Sequence, residues 1–398
     1  MNGPAVTGPF ALGSSLAERE QAGLLRSRIA TDGASSGRLR VAGSDYLNFS
    51  ANDYLGLADH GAIKAAFNAG IERYGAGSGA SPLVTGYSRA HQELEETLAE
   101  WLGVEAVLLF NCGFSANQAV LKALLGKEHL LWQDKLNHAS LQEMGSQLPC
   151  KMKRFAHNDM AALERQLEPN RGLIVSEGVF SMDGDQAPWG ELAALAARSG
   201  NWLMIDDAHG LGVQGPEGRG TLAAQEVPPA SVQIQMGTFG KALGVAGAFV
   251  GGSRELVEYL VNFARHYVYS THMPAAQACA VSKSIELVRA ADEARAHLGQ
   301  LIARFRQGAK DQGWQLGASD TPIQPLLVGE SVAALQLAER LRDRGVWAGA
   351  IRPPTVPVGT ARLRITLSAA HREQDVDRLL DALGVCPAVT TLGEAHHD

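Results

Sequence analysis

One lysine stands where amine chemistry would need it. Lys241 follows a run of strand-formers, Val232 to Met236, and a glycine-rich turn, Gly237 to Gly240. After it come only small or apolar residues, from Ala242 to Gly247. A lysine flanked this way does not belong to a solvated helix face. Lysine is rarely buried unless it is paired or used covalently. Desolvation lowers its pKa and yields a nucleophilic amine, which imine chemistry requires. A strand-end lysine that snorkels to the surface would give the same pattern, so this segment alone leaves both readings open.

Other polar residues fall at the carboxyl ends of predicted strands: His138 in NHAS, Ser181 in EGVFSMDGD, and Asp206 and His209 in DDAHG. In open α/β sheets, ligands bind outside those ends. The set suits pyridoxal phosphate. A lysine holds the aldehyde as an imine, and a buried carboxylate keeps the pyridine nitrogen protonated so that the ring acts as an electron sink. Asp206, behind the apolar run WLMI, fits that carboxylate; Asp207 would point to the other side of the strand end. His209 can meet the phenolic oxygen, and His138 can cover one ring face. Thr238 can take the phosphate, as can the turn Cys112 to Phe114 ahead of a helix, through free N–H groups. Each has an ordinary alternative when taken singly. His209 could be a core or cap histidine, Ser181 and Thr238 turn caps, and Arg352 a surface arginine.

The elements that must position these residues alternate. Strands are predicted over Val104 to Phe110, Glu128 to Trp132, Lys151 to Phe155, Gly172 to Ser176, Trp202 to Ile205 and Gly247 to Gly251. Helices between them, such as Ser115 to Leu125, Met160 to Leu167 and Leu192 to Ser199, imply a mostly parallel sheet covered on both faces. From Arg254 the pattern turns helical, with Ala275 to Ala291 running into Glu293 to Lys310. Strands at Pro322 to Gly329, Val346 to Ile351 and Ala361 to Leu367, with helices Ser331 to Arg344 and Arg372 to Leu383, predict a smaller α+β domain. An amphipathic helix is expected over Leu16 to Arg28, after a frayed opening, and a ligand-approaching loop over Gly75 to Gly86. The expected division is an N-terminal segment over 1–55, a large domain over 56–290, a small domain over 291–390 and a disordered tail over 391–398. His396 and His397 read as solvated tail residues, and no metal site is expected.

Bulk properties narrow the class. Of 398 residues, 45% are hydrophobic and 19% charged, a globular profile with ample core. The net charge of −7, without blocks of like charge, argues against nucleic acid or an anionic membrane as partner. The cysteines are far apart, without metal or redox spacing, so a reduced, cytoplasmic location is expected. No signal-peptide pattern opens the chain, and no apolar run approaches the ~20 residues of a membrane span.

The motifs TFGKALG around Lys241, DDAHGLG from Asp206, EGVFSMDGD from Glu177 and NHAS around His138 together resemble the α-oxoamine synthases. These are fold-type I pyridoxal phosphate enzymes of the class-II aminotransferase family, and the likeness runs from about Leu16 to Leu383. It implies an aspartate-aminotransferase-like fold, with a large, mostly parallel seven-stranded sheet domain and a smaller α+β C-terminal domain. It implies pyridoxal 5'-phosphate and the decarboxylative condensation of an amino acid with an acyl thioester. FARHYVYSTHMP from Phe263 and AIRPPTVPVGTARLRITL from Ala350 look most like the branch that joins L-alanine to a pimeloyl thioester in biotin biosynthesis, the carrier being coenzyme A or an acyl carrier protein. A sister branch using glycine with acetyl or succinyl thioesters is the second reading, and a non-catalytic binding subunit of the same fold the third. The intact Lys241 and Asp206 argue against the third.

The resemblance also implies roles. Lys241 forms the imine and moves the α-proton; Asp206 pairs with the ring nitrogen; His209 contacts the phenolic oxygen. His138 stacks on the ring and faces substrate. Ser181 and Thr238 hydrogen-bond the cofactor, and the Gly113 and Phe114 backbone holds its phosphate. Arg26, Arg352 and Thr355 face the substrate. Ser270 and Thr271 reach the phosphate of a neighbouring subunit, which implies a homodimer with a shared active site. The chain departs from the family pattern at Cys112, where Ser or Thr is common, at Leu211, and at His272.

Overall fold

Seven short, apolar strands build the central sheet of the computed structural model, which describes residues 10, 12–34 and 36–384. They are β1 (Ala106–Phe110), β2 (Leu130–Asp134), β3 (Lys151–Phe155), β4 (Gly172–Glu177), β5 (Trp202–Asp206), β6 (Ile234–Thr238) and β7 (Ala248–Gly252). Their spatial order is β1-β7-β6-β5-β4-β2-β3. Only β7 runs against the others, antiparallel to both β6 and β1. The expected mostly parallel seven-stranded sheet is therefore present. Its central strands read as continuous apolar runs because both faces are covered.

The period of two divides the strand residues between those faces. Leu131, Leu173, Val175, Met204 and Val250 pack in one core with the helices Gly113–Leu124, Ala139–Gln147 and Arg254–Phe263. Leu130, Trp132, Ile174, Leu203 and Ile205 pack on the opposite side with Met160–Gln166 and Trp189–Ser199. Val107, Leu109 and Phe249 continue that side against Arg89–Leu102 and Ala275–Arg289.

A smaller antiparallel sheet follows, made of β8 (Ile323–Gly329), β9 (Gly349–Ile351) and β10 (Ala361–Thr366) with β10 in the middle. Helices Asp292–Asp311, Ser331–Asp343 and Glu373–Leu383 pack with it in the core. The strand expected over Val346 to Ile351 is two pieces. Val346–Trp347 pairs with Ser44–Asn48 of a third sheet, and only Gly349–Ile351 joins β10. The beginning of the chain is thus tied to its C-terminal part.

Two helix expectations are corrected. The N-terminal helix covers Leu12–Gln21 rather than Leu16 to Arg28; Gly23, at φ 66°, follows its end, and none of its residues is buried. The long helical span breaks between Arg289 and Asp292, where the Arg295 guanidinium donates to the Val288 carbonyl at 2.7 Å and takes the place of the next turn. The Gly75 to Gly86 loop closes on a five-residue π-helical turn, Pro82–Gly86. The tail 391–398 and most of the opening segment lie outside the described residues. Among the described residues, no helix is long and apolar enough to cross a membrane.

Candidate active site

The parallel strands all end at one edge, and the site is assembled there. β6 ends at Thr238, two residues beyond the expected strand, and the chain reaches antiparallel β7 through residues 239–247. That connection is knitted by Phe239 N–H to Gly247 O (2.9 Å), Val245 N–H to Phe239 O (2.8 Å) and Gly244 N–H to Lys241 O (2.9 Å). Lys241 keeps part of its surface accessible. Burial nevertheless pulls its amine down to about 8, with Asp206 and Glu177 opposing and Arg364 adding to the drop. The snorkelling alternative would have left the amine near its ordinary value.

Asp206 ends β5 and is buried. Its Oδ2 accepts from the Asn117 amide at 2.7 Å and its Oδ1 from Ala208 N–H at 3.1 Å. The Asn117 amide also donates to Ser140 Oγ at 3.0 Å, and that hydroxyl lies 2.8 Å from His138 Nδ1. His138 caps the helix Ala139–Gln147 and is exposed, its ring centroid 6.4 Å from that of Phe114 in an edge-to-face pair. Burial lowers its pKa; Asp206 opposes and Lys241 assists. His209 is fully enclosed and held well below the usual imidazole value, by burial first and then by Lys241, Arg364 and His138. Its Nδ1 meets the Tyr54 hydroxyl at 2.6 Å, and burial pushes that phenol up to about 12.

Asp207 turns to the other side, where Thr221 donates its N–H (2.7 Å) and hydroxyl (2.6 Å). Burial raises this carboxyl to about 7. A Cβ on Gly178, Gly210 or Gly220 would come within 2.0, 2.1 and 2.0 Å of its oxygens, so only glycine fits around it.

The phosphate end is defined by two features. Thr238 Oγ1 is buried and has no hydrogen-bond partner, an expensive state for a hydroxyl unless a ligand satisfies it. Beside it, Gly113 opens the helix Gly113–Leu124, whose cap residue Cys112 makes no side-chain capping bond. A Cβ at Gly113 would strike the Thr238 methyl, Cγ2, at 2.7 Å, so the helix N-terminus, with its free N–H groups, packs against the Thr238 side chain. Phe114 follows, exposed. An orphaned hydroxyl at a helix N-terminus, a buried carboxylate, an accessible imidazole face and a lowered-pKa lysine fit pyridoxal phosphate.

Ser181 is positioned through its carbonyl, which accepts from Arg364 Nε at 2.6 Å. Arg364, on β10, also donates to Asn52 Oδ1 at 3.1 Å, and its charge reaches Lys241 and His209. Arg362, two residues earlier, pairs with Asp183. The small sheet therefore grips the 181–185 turn. From the other side, His157 donates to both Asp134 Oδ1 (3.0 Å) and Asp185 Oδ2 (2.6 Å), beneath the Phe180 ring edge. His157 thereby links the turn that leads to His138 with the turn that carries Ser181.

Among the described residues, the remaining expected ones make no hydrogen bond to Lys241, Asp206, His138 or His209 and are held by other contacts. Arg26 donates to Thr355 Oγ1 at 3.2 Å, and Arg352 donates to the Gly23 carbonyl, so these three form a strap between the N-terminal segment and the 352–355 turn. Thr271 O accepts from Asn111 at 2.7 Å, which holds the Ser270–Thr271 segment beside the 111–114 turn.

Sequence reading did not assign Asn52, Tyr54, Asn117, Ser140, His157, Glu177 or Arg364. Two left signals. Arg362, Arg364 and Thr366 make a polar stripe at period two in an otherwise apolar strand, and Asn117 interrupts the apolar face of its helix. Glu177 ends β4 directly opposite Asp206 in the register, buried and held well above the ordinary carboxyl value by burial and by Asp206.

The aminotransferase class I and II family model matches residues 44–383. The chain is 88% identical over 396 residues to 8-amino-7-oxononanoate synthase of Aeromonas hydrophila subsp. hydrophila, covering 100% of both. Among solved structures it is similar to a serine palmitoyltransferase from S. paucimobilis with PLP–myriocin bound (27% identity, TM-score 0.88, 94% of this chain and 95% of that one). It is also similar to 8-amino-7-oxononanoate synthase from Francisella tularensis (26% identity, TM-score 0.76, 85% and 96%). The fold is the fold-type I arrangement those structures share.

Proposed function

The chain belongs to the class I and II aminotransferase family, and we propose that it condenses L-alanine with a pimeloyl thioester, releasing carbon dioxide and the carrier thiol, to give 8-amino-7-oxononanoate. The observation that carries the chemistry is the Lys241 amine, drawn down to about 8 and within electrostatic reach of Asp206 and Glu177. The full-length 88% identity to the Aeromonas hydrophila synthase supports the substrate pair and the biotin-pathway role.

The cofactor is pyridoxal 5'-phosphate, which when bound supplies an aldehyde for an amine and a ring that draws electrons from the substrate α-carbon. The Lys241 amine, neutral in a substantial fraction near pH 8, would hold that aldehyde covalently with loss of water and, once exchanged for the substrate amine, would take the α-proton at Nζ. The Asp206 carboxylate, fixed by Asn117 and the Ala208 N–H, holds a proton on the ring nitrogen. His209 has Nδ1 engaged by Tyr54, which leaves Nε2 for the phenolic oxygen. The His138 ring covers one face. Ser181 and the orphaned Thr238 Oγ1 hydrogen-bond the cofactor, and Gly113 and Phe114 N–H groups take the phosphate. Arg352 and Thr355, with Arg26 across the strap, receive the substrate carboxylate. The Gly and acetyl or succinyl thioester pairing of the sister synthases is the reading to be tested against.

The active unit is a cytoplasmic homodimer, with Ser270 and Thr271 completing the neighbouring subunit's phosphate site. Exposed Leu83, Val84, Tyr87 and Tyr269 support an apolar face around the contacting turns Pro82–Gly86 and Arg265–Val268. Residues 56–290 serve as the large domain and 291–390 as the small one, with 1–55 as an N-terminal segment. The test is thiol release from purified protein loaded with pyridoxal phosphate. Release with L-alanine and pimeloyl-CoA is expected; release only with glycine and acetyl-CoA would overturn the reading.

A further inference from the structure

One hydrogen-bond chain behind the site has its polarity fixed at both ends. It begins at Asp206, whose carboxylate only accepts. The Asn117 amide group 2.7 Å from Asp206 Oδ2 must therefore present nitrogen, not oxygen. The second hydrogen of that nitrogen reaches Ser140 Oγ at 3.0 Å, so the hydroxyl accepts there and keeps its own hydrogen to give. The hydroxyl lies 2.8 Å from His138 Nδ1. At the far end, the Ser140 backbone N–H, which can only donate, points at the same Nδ1 from 3.2 Å. Two donors converge on Nδ1, so that nitrogen is bare and the single ring proton sits on Nε2. Asn117 and Ser140 are 1% and 0% exposed, so water does not compete for the two Asn117 bonds, while the bonds to His138 are part-buried.

We infer that Asn117 and Ser140 are positioning residues that hold His138 as its neutral Nε2–H tautomer, making it a hydrogen-bond donor toward the substrate rather than a base. Burial of the ring, which disfavours its charged form, agrees with this. A fixed N–H donor stabilises the negative charge that develops on a thioester carbonyl oxygen during condensation. The division of labour follows. Proton removal belongs to Lys241, and the same buried amide that orients the donor also orients Asp206. The inference rests on the proposed function only in assigning the substrate as what His138 faces.

The test is a two-bond proton–nitrogen spectrum of full-length protein labelled at histidine, without and with pyridoxal phosphate. The His138 signal is identified by its loss in His138→Gln. A proton on Nε2 and none on Nδ1 is expected near neutral pH. Ser140→Ala is expected to lower kcat for the thioester reaction roughly tenfold, the loss of one hydrogen bond to a working group, with pyridoxal phosphate affinity unchanged. Asn117→Leu is expected to do the same and also to raise the pKa of the lysine imine, because Asp206 loses a donor and holds the ring proton less well. A wild-type ring protonated on Nδ1, or wild-type kcat in both variants, would overturn the inference. The wild-type imine absorbance is the separate control: its absence would overturn the proposed function, while the tautomer is still read from the unloaded protein.

Discussion

The amine of Lys241 carries a pH signature of its burial. Burial draws it down to about 8, so its neutral form gains population across pH 7 to 9. The rate at which unloaded protein captures pyridoxal phosphate, followed by visible absorbance, is expected to rise through a midpoint near 8. A midpoint near the ordinary lysine value, ~10.5, would mean that the amine is solvated. In Lys241→Ala the imine absorbance is expected to vanish with the far-ultraviolet circular dichroism retained. At this scale, the placement of Lys241, Asp206, His209 and His138 at one sheet edge was legible in the sequence, because each closes a strand within a few residues. Asn117, Tyr54 and Arg364 were not. Their partners are 89, 155 and 183 residues away, and only tertiary packing brings those pairs together.

At the level of the elements, the turns at the carboxyl edge are held to one another rather than left as independent loops. His157 is the clearest case. Burial opposes its charge, but the hydrogen bonds and charges of Asp134 and Asp185 prevail and raise its pKa to about 10. A histidine whose folded value lies above its unfolded value, ~6.5, contributes stability that is fully present below that unfolded value. The contribution is lost as pH rises through about 10. His157→Gln is therefore expected to cost about 1–2 kcal/mol at pH 6, read as a lower urea midpoint, and progressively less as pH approaches 10 and above. A difference independent of pH would remove the charge from this account. Nothing local in the sequence marked His157, since its partner carboxylates, Asp134 and Asp185, lie 23 and 28 residues away. Element types were otherwise well signalled by period and composition. Boundaries failed where a tertiary contact ended an element, as at Arg295, or where one short strand served two sheets, as after Val346.

For the whole molecule, the question is how many chains make one site. If Ser270 and Thr271 complete the neighbouring phosphate site, two defective chains should rescue each other. Mixing Lys241→Ala with a chain carrying Ser270→Ala and Thr271→Ala, after dissociation and reassembly, is expected to restore up to about a quarter of wild-type activity, because half of the two-fold dimers are hybrids with one intact site. No recovery from verified hybrids would place both residues outside the shared site. This level was not legible from periodicity or spacing. The exposed Leu83–Val84 pair and Tyr269 are far apart in sequence, and nothing local marks them as one surface.

The reversed direction of β7 has a consequence for motion. Because β7 returns antiparallel beside β6, residues 239–247 join the two without the helix that a parallel crossover would need. The segment bearing Lys241 is thus the tip of a hairpin pinned between central strands, with its own carbonyl bonded to Gly244 N–H. With its backbone held by these bonds, the amine is expected to move by side-chain torsion. In exchange with deuterated solvent, amides at Phe239, Gly244 and Val245 should rank among the slow ones of the chain. The most reactive position in the molecule would then sit on one of its stillest stretches of backbone.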